Sequence, residues 1–136
     1  MNAKCSKILL IYLTGGIIYF YFEILVRGYS HISMFLLGGL CFYLVGTIGN
    51  LVLIKKLDFF KKLILIMSIS GCIITFLELL TGLLVNVYFD LHVWDYSSMK
   101  MNYMGQICML YSVLWALLGL PCVYFYGLIN KFIIEE

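Results

Sequence analysis

Glu23 and Glu78 are the side chains in this sequence best placed to do chemistry. Each is a carboxylate deep inside a long apolar run, sixteen residues after a lysine, Lys7 or Lys62. An ionised carboxylate in hydrocarbon is costly, so acids inside membrane segments are rare, face protein or water, and mark ion paths, proton relays or ligand sites. Two neighbouring carboxylates also resist double ionisation, which lets one keep a proton and exchange it. Arg27 lies four residues beyond Glu23, so on a helix the two share a face and can neutralise each other. Glu78 has no such partner in its own run. It must find one elsewhere, stay protonated or face water.

Candidate partners for these acids are His31, Asp90, His92, Asp95, Lys100, Asn102 and Gln106. The densest stretch is Trp94-Asp95-Tyr96-Ser97, followed by Asn102, Gly105 and Gln106 at the expected start of the fourth apolar segment. Trp94 and Tyr96 also suit an interfacial anchor, and Asp95 and Ser97 suit a turn or helix entry. As a site, Glu23 and Glu78 form an acidic floor and Arg27 and His31 one wall. Asp95, Asn102 and Gln106 form a lid, and Trp94 joins them as a binding residue. Such a pocket fits a cation, a proton or a small polar or zwitterionic molecule. The five cysteines, Cys5, Cys41, Cys72, Cys108 and Cys122, have neither CxxC nor Cys/His ligand spacing, so no metal site and no cofactor are expected.

The elements that position these residues follow from composition. The chain has 136 residues, 64% hydrophobic and 12% charged, too much apolar surface for a soluble domain of this size to bury. Four windows, about 8–26, 34–54, 63–87 and 103–129, reach the roughly 20 residues that cross a bilayer. Lipid offers no partner to open strand edges, so these are read as helices. The fold class is all-α, an integral membrane four-helix bundle forming a single domain over residues 1–136. Lys4, Lys7, Lys55, Lys56, Lys61, Lys62 and Lys131 flank one side, while Arg27 and Lys100 flank the other. Short basic loops stay cytoplasmic, which puts both termini inside. The net charge of +2 therefore reports topology, and nucleic acid is not an expected partner. With this orientation the sixteen-residue spacing lifts both glutamates about 24 Å above the inner lysines, into the outer third of the membrane.

The first and third runs align without a gap at an offset of 55, matching Lys7/Lys62, Leu10/Leu65, Ile11/Ile66, Gly16/Gly71, Ile18/Ile73, Glu23/Glu78 and Leu25/Leu80. At an offset of 67, Tyr29, Ser30, Met34, Gly38 and Cys41 match Tyr96, Ser97, Met101, Gly105 and Cys108. Two parallel-repeated helical hairpins are the expected architecture, the second carrying twelve extra residues. Glycines at helical spacing are read as close-packing positions between membrane helices.

Taken together, Glu23, the stretch Arg27-Gly28-Tyr29-Ser30-His31, Ser33-Met34, Gly38-Gly39, Glu78, Thr81-Gly82, Trp94-Asp95-Tyr96-Ser97, Asn102, Gly105, Ile107-Cys108, Ser112 and Trp115 resemble the ABC-transporter permease family called type IV, or CmpB-like. The resemblance spans nearly the whole chain. It implies a small multi-pass protein of the bacterial plasma membrane that works in transport. Met101 stands where the family commonly has a proline, and Asn50 where an acidic residue is expected. The chain has no G-x-x-x-x-G-K-[ST] phosphate loop, so ATP hydrolysis within an ABC system requires a separate ATPase chain. Four helices are few for a translocation pathway, so a permease partner or self-association is expected, alongside membrane lipids. The competing readings are an outer-leaflet lipid-modifying enzyme, with His31, Glu78 and Asp95 as acid, base or orienter, and an accessory or sensor subunit. Catalysis is the less favoured of these.

Overall fold

In a computed structural model, which describes residues 2–134, the chain forms four long helices. They are α1 (Ala3–Arg27), α2 (Ile32–Leu53), α3 (Phe59–Gly82) and α4 (Met109–Ile134). All four are long and apolar enough to cross a membrane. Large apolar side chains cover the outside, including Leu25, Ile54, Phe60 and Phe132. A bundle that exposes such a surface is solvated by lipid. The protein is an all-α integral membrane bundle.

Two tight hairpins, α1–α2 and α3–α4, build the bundle and meet chiefly through α2, which packs on both α3 and α4. Helices α1 and α4 approach each other only loosely. Small residues set the spacing within and between hairpins. Gly38 and Gly39 of α2 receive Tyr19 and Tyr12 of α1, and Gly46 and Gly49 receive Tyr126 and Val123 of α4. Gly119 of α4 lies directly against Ser70 of α3. Without a hydrophobic force between helices in lipid, such close backbone approach and its dispersion contacts hold the bundle together.

Polar side chains add cross-links where the backbone cannot. Tyr12 donates to the Leu36 carbonyl at 2.6 Å, and Thr75 to Ser112 Oγ at 2.9 Å. The Asn50 amide donates to Gly46 O at 2.9 Å and to Val123 O at 3.3 Å, tying α2 to α4. An acidic residue at position 50 has no such donor, so the asparagine that departs from the family pattern suits this crossing.

Several helix boundaries differ from the sequence reading, α1 starting at Ala3 and α4 ending at Ile134, each five residues beyond its window, and the starts of α3 and α4 bear on the architecture. Helix α3 starts at Phe59, four residues early, because Lys61 and Lys62 fit an exposed first turn; Lys62 also reaches the Leu53 carbonyl at 2.7 Å. Beyond Gly82 the helix widens into a π-helical turn over Leu83–Tyr88. The fourth helix starts at Met109 and not at 103, because residues 102–108 form a small antiparallel hairpin. Its strands are β1 (Asn102–Tyr103) and β2 (Ile107–Cys108). Met104 and Gly105 both have positive φ, 53° and 69°, and Gln106 N–H bonds Tyr103 O at 3.0 Å. That is the mirror-image two-residue turn whose twist matches a hairpin. Met101 has φ 53°, a value closed to proline, so the departure at this position belongs to the local loop shape.

Candidate functional site

The site lies at the end of the bundle that carries the turn 28–31 and the long connection 89–108. The turn forms because Gly28 takes φ 82° after α1, and His31 then caps α2 by accepting from Ser33 N–H at 3.1 Å. A second tie comes from the π-helical turn that follows α3. Asn86, nearly buried, accepts from Val93 N–H at 2.7 Å and donates to Gln106 Oε1 at 2.9 Å. Trp94 donates its indole N–H to the Gln106 carbonyl at 3.0 Å. Gly82 lies under Gln106 and Trp94, where a Cβ would collide with the Gln106 side chain. The π-helical turn therefore holds the connection down onto the bundle, a geometry that recurs at functional sites. All four non-glycine residues with positive φ among the described residues, Asp90, His92, Met101 and Met104, fall in this connection.

Both glutamates point inward and both are satisfied. Glu23 is 4% exposed and is paired with Arg27 one turn later on α1. Its other oxygen accepts from Ser30 Oγ at 3.1 Å. Arg27 is thereby committed. It also donates to Tyr29 Oη at 2.8 Å and Val93 O at 2.9 Å, and its guanidinium lies 4.7 Å over the Tyr29 ring. Glu78 is 2% exposed and takes its donors from outside its own helix. Tyr96 Oη donates to Oε1 at 2.9 Å, and Trp115 Nε1 of α4 donates to Oε2 at 3.0 Å. Burial, with Glu78 beside it, pushes the Tyr96 phenol above its ordinary range and keeps it a donor. Tyr96 stacks on Tyr111 at 4.8 Å, which fixes the phenol over the carboxylate.

Two cavities meet here. One, of about 480 Å³, opens at the connection end and is lined by Glu23, Arg27, Trp94, Asp95, Tyr96 and Tyr111 among others. The other, of about 330 Å³, runs down the loose seam between α1 and α4 with α2 behind it, and Glu78 is its one charged wall residue. Tyr19, Phe22 and Trp115 line both. The glutamates therefore do not share one floor: each belongs to a different cavity, with an aromatic partition common to the two.

The other expected residues divide by position. Trp94 and Asp95 line the outer cavity beside Glu23 and Arg27. Asp95 is exposed and accepts from Ser97 N–H at 2.8 Å and from Ser97 Oγ; these bonds hold its carboxyl below the ordinary range. His31, Asn102 and Gln106 line neither cavity. Asn102 donates to Met99 O at 2.8 Å and accepts from Gly105 N–H at 3.1 Å, so it shapes the loop, as Gln106 does. His31, Glu78 and Asp95, the trio named for an enzyme, line no common cavity. Among the described residues no cluster of three His, Cys, Asp or Glu is arranged to hold a metal. The sequence reading missed Tyr19, Tyr96, Tyr111 and Trp115 as site residues. Their signal was present, since a buried acid without a partner in its helix requires donors from elsewhere.

A bundle of four helices, each long and apolar enough to cross a bilayer, defines a multi-pass membrane protein. A family model described as "Putative ABC-transporter type IV" matches residues 7–135, and the chain belongs to that family. No curated protein and no solved structure gives a significant match to it.

Proposed function

We propose that this chain is the membrane subunit of a transport assembly, with an acidic site near the outer face for a cation, a proton or a small polar molecule. One observation carries the reading: Glu78, a carboxylate 2% exposed in a membrane-spanning helix, is held by donors from both the connection and α4 beside a cavity. A bundle that needed only packing would fill that position with an apolar side chain. Glu23, Arg27, Trp94 and Asp95 form the outer compartment, and Glu78 the inner one. His31, Asn102 and Gln106 act by shaping its rim.

The whole chain acts as one domain in the bacterial plasma membrane, with both termini in the cytoplasm. Seven of the nine basic residues lie at the end opposite the connection, which supports this orientation. In intact cells, Lys100→Cys should react with a membrane-impermeant thiol reagent; labelling only after permeabilisation would reverse the topology. Glu23 and Glu78 each lie four residues before the end of the α-helical part of their hairpin's first helix, Arg27 and Gly82, which fits descent from one duplicated hairpin.

If the assembly is an ABC system, its ATPase comes from another chain, because the sequence carries no phosphate loop. Tagged protein extracted in mild detergent from cells that naturally make it should co-elute in fixed ratio with a subunit that carries such a loop and hydrolyses ATP. Repeated recovery of the chain without ATPase would contradict membership of an ATP-driven assembly.

A further inference from the structure

We propose that the two cavities together take an amphiphile with one organic ammonium head and one apolar tail, the head in the outer cavity and the tail in the seam between α1 and α4. This deepens the acidic-site reading above and rests on it.

The outer cavity offers a ligand little except aromatic faces and negative charge. Tyr29, Trp94, Tyr96, Tyr111 and Trp115 line it or its partition. Apart from the Tyr111 hydroxyl, their polar atoms are engaged: Trp94 on Gln106, Tyr96 and Trp115 on Glu78, Tyr29 with Arg27. Arg27 already covers the Tyr29 ring and Tyr96 stacks on Tyr111, so what remains for a ligand is chiefly the faces of Trp94 and Trp115 and the outer face of the tyrosine stack, which attract cations and suit weakly hydrated ammonium groups best. An anion would find only Arg27, whose N–H groups already serve Glu23, Tyr29 and Val93. Glu23 and Arg27 cancel, and His92, also on the wall, is paired with Asp90, so Asp95 leaves the compartment negative, and Glu78 lies just past the partition. A hard metal cation is favoured by several converging carboxylates, and among the described residues no group of three His, Cys, Asp or Glu is placed to hold one.

The seam supplies the tail site. Its walls are apolar apart from Glu78, and Ile18, Phe22 and Phe125 stand exposed along it, so it faces the lipid. Its volume of about 330 Å³ lies within the range of small-molecule pockets. The shared walls Tyr19, Phe22 and Trp115 place the tail site next to the head site. A purely polar cation would leave this groove unused.

The two tryptophans of the chain both line the outer cavity, so intrinsic fluorescence reports on it directly. Purified chain in maltoside micelles should show a saturable fluorescence change with dodecyltrimethylammonium and none with dodecyl sulfate. Tetramethylammonium should compete at least about tenfold more weakly, since it lacks the tail contacts. Tyr111→Leu should weaken both ammonium ligands by roughly fivefold. The double variant Ile18→Phe, Leu118→Phe, which narrows the seam, should bring the long ligand down to the affinity of tetramethylammonium and leave the latter unchanged. Equal affinity for the two ammonium ions in the unaltered chain would overturn the tail site while sparing the acidic-site reading. An equal response to dodecyl sulfate would overturn the head site by showing surfactant binding without charge selection. No response to either ammonium ion would remove the inference; sodium or proton binding, followed by Glu78-dependent calorimetry, then decides whether the acidic site falls with it.

Discussion

Gly119→Val should be the most damaging single substitution in the bundle. A Cβ at this position would sit on Ser70 Oγ and Cβ, and Ser70 is 1% exposed with its hydroxyl bound to Ile66 O at 2.6 Å. Neither side can yield, because Ser70 is held by its own helix and α4 is held by α2 through Val123 on Gly49. Overpacking of a close crossing costs about 3 kcal/mol or more when the backbones must separate. Thermal unfolding in detergent should show a large drop or no folded protein at all. In the milder Gly119→Ala background, Ser70→Gly should restore much of the loss, since it removes the atoms the new methyl strikes. A Gly119→Val variant as stable as the starting protein would mean that α3 and α4 do not cross here.

The second large effect concerns Trp115. It is 7% exposed, makes an edge contact with Tyr19 at 6.1 Å, lies 6.0 Å from Tyr111 and donates to Glu78. Trp115→Ala should cost about 3–5 kcal/mol from lost packing. Trp115→Phe keeps most of the ring but leaves Glu78 Oε2 without its donor, at a cost of roughly 1–3 kcal/mol. The two effects separate in a cycle with Glu78→Gln. If the indole acts through the carboxylate, Glu78→Gln should be less harmful in the Trp115→Phe background than alone, by about 0.5–3 kcal/mol. Additive losses would show that Trp115 contributes only bulk.

How much of this was legible in the sequence differs by level. Four membrane helices followed from run length and from the scarcity of charge, since lipid permits few alternatives. Burial of Glu23 and Glu78 followed from the same logic, and the Glu23–Arg27 pair from helical spacing. The hairpin at 102–108 was not legible. Its turn is Met104-Gly105, which lacks the asparagine or aspartate that usually signals that conformation, and its flanks read as the start of an apolar helix. Missing it placed Asn102 and Gln106 in a lid when they are the pins of the connection. His31 was likewise read by its titratable ring, although its position just before α2 made it a cap. The separation of the glutamates into two cavities depends on α1 and α4 standing apart, a tertiary fact that no helical periodicity encodes.

The proposed role of Glu78 is to serve a ligand as well as to join the connection and α4. The direct measurement is native mass spectrometry of the chain extracted from its own membrane, comparing the unaltered protein with Glu78→Gln at matched thermal stability. Glutamine keeps the size but cannot ionise; its one carbonyl oxygen can accept from Trp115, while its amide N–H can donate to Tyr96 Oη in place of accepting from it. A defined bound mass is expected on the unaltered chain and is expected to be lost from Glu78→Gln while the bundle remains folded. The same bound mass at the same occupancy on both proteins would contradict it and leave Glu78 a structural residue.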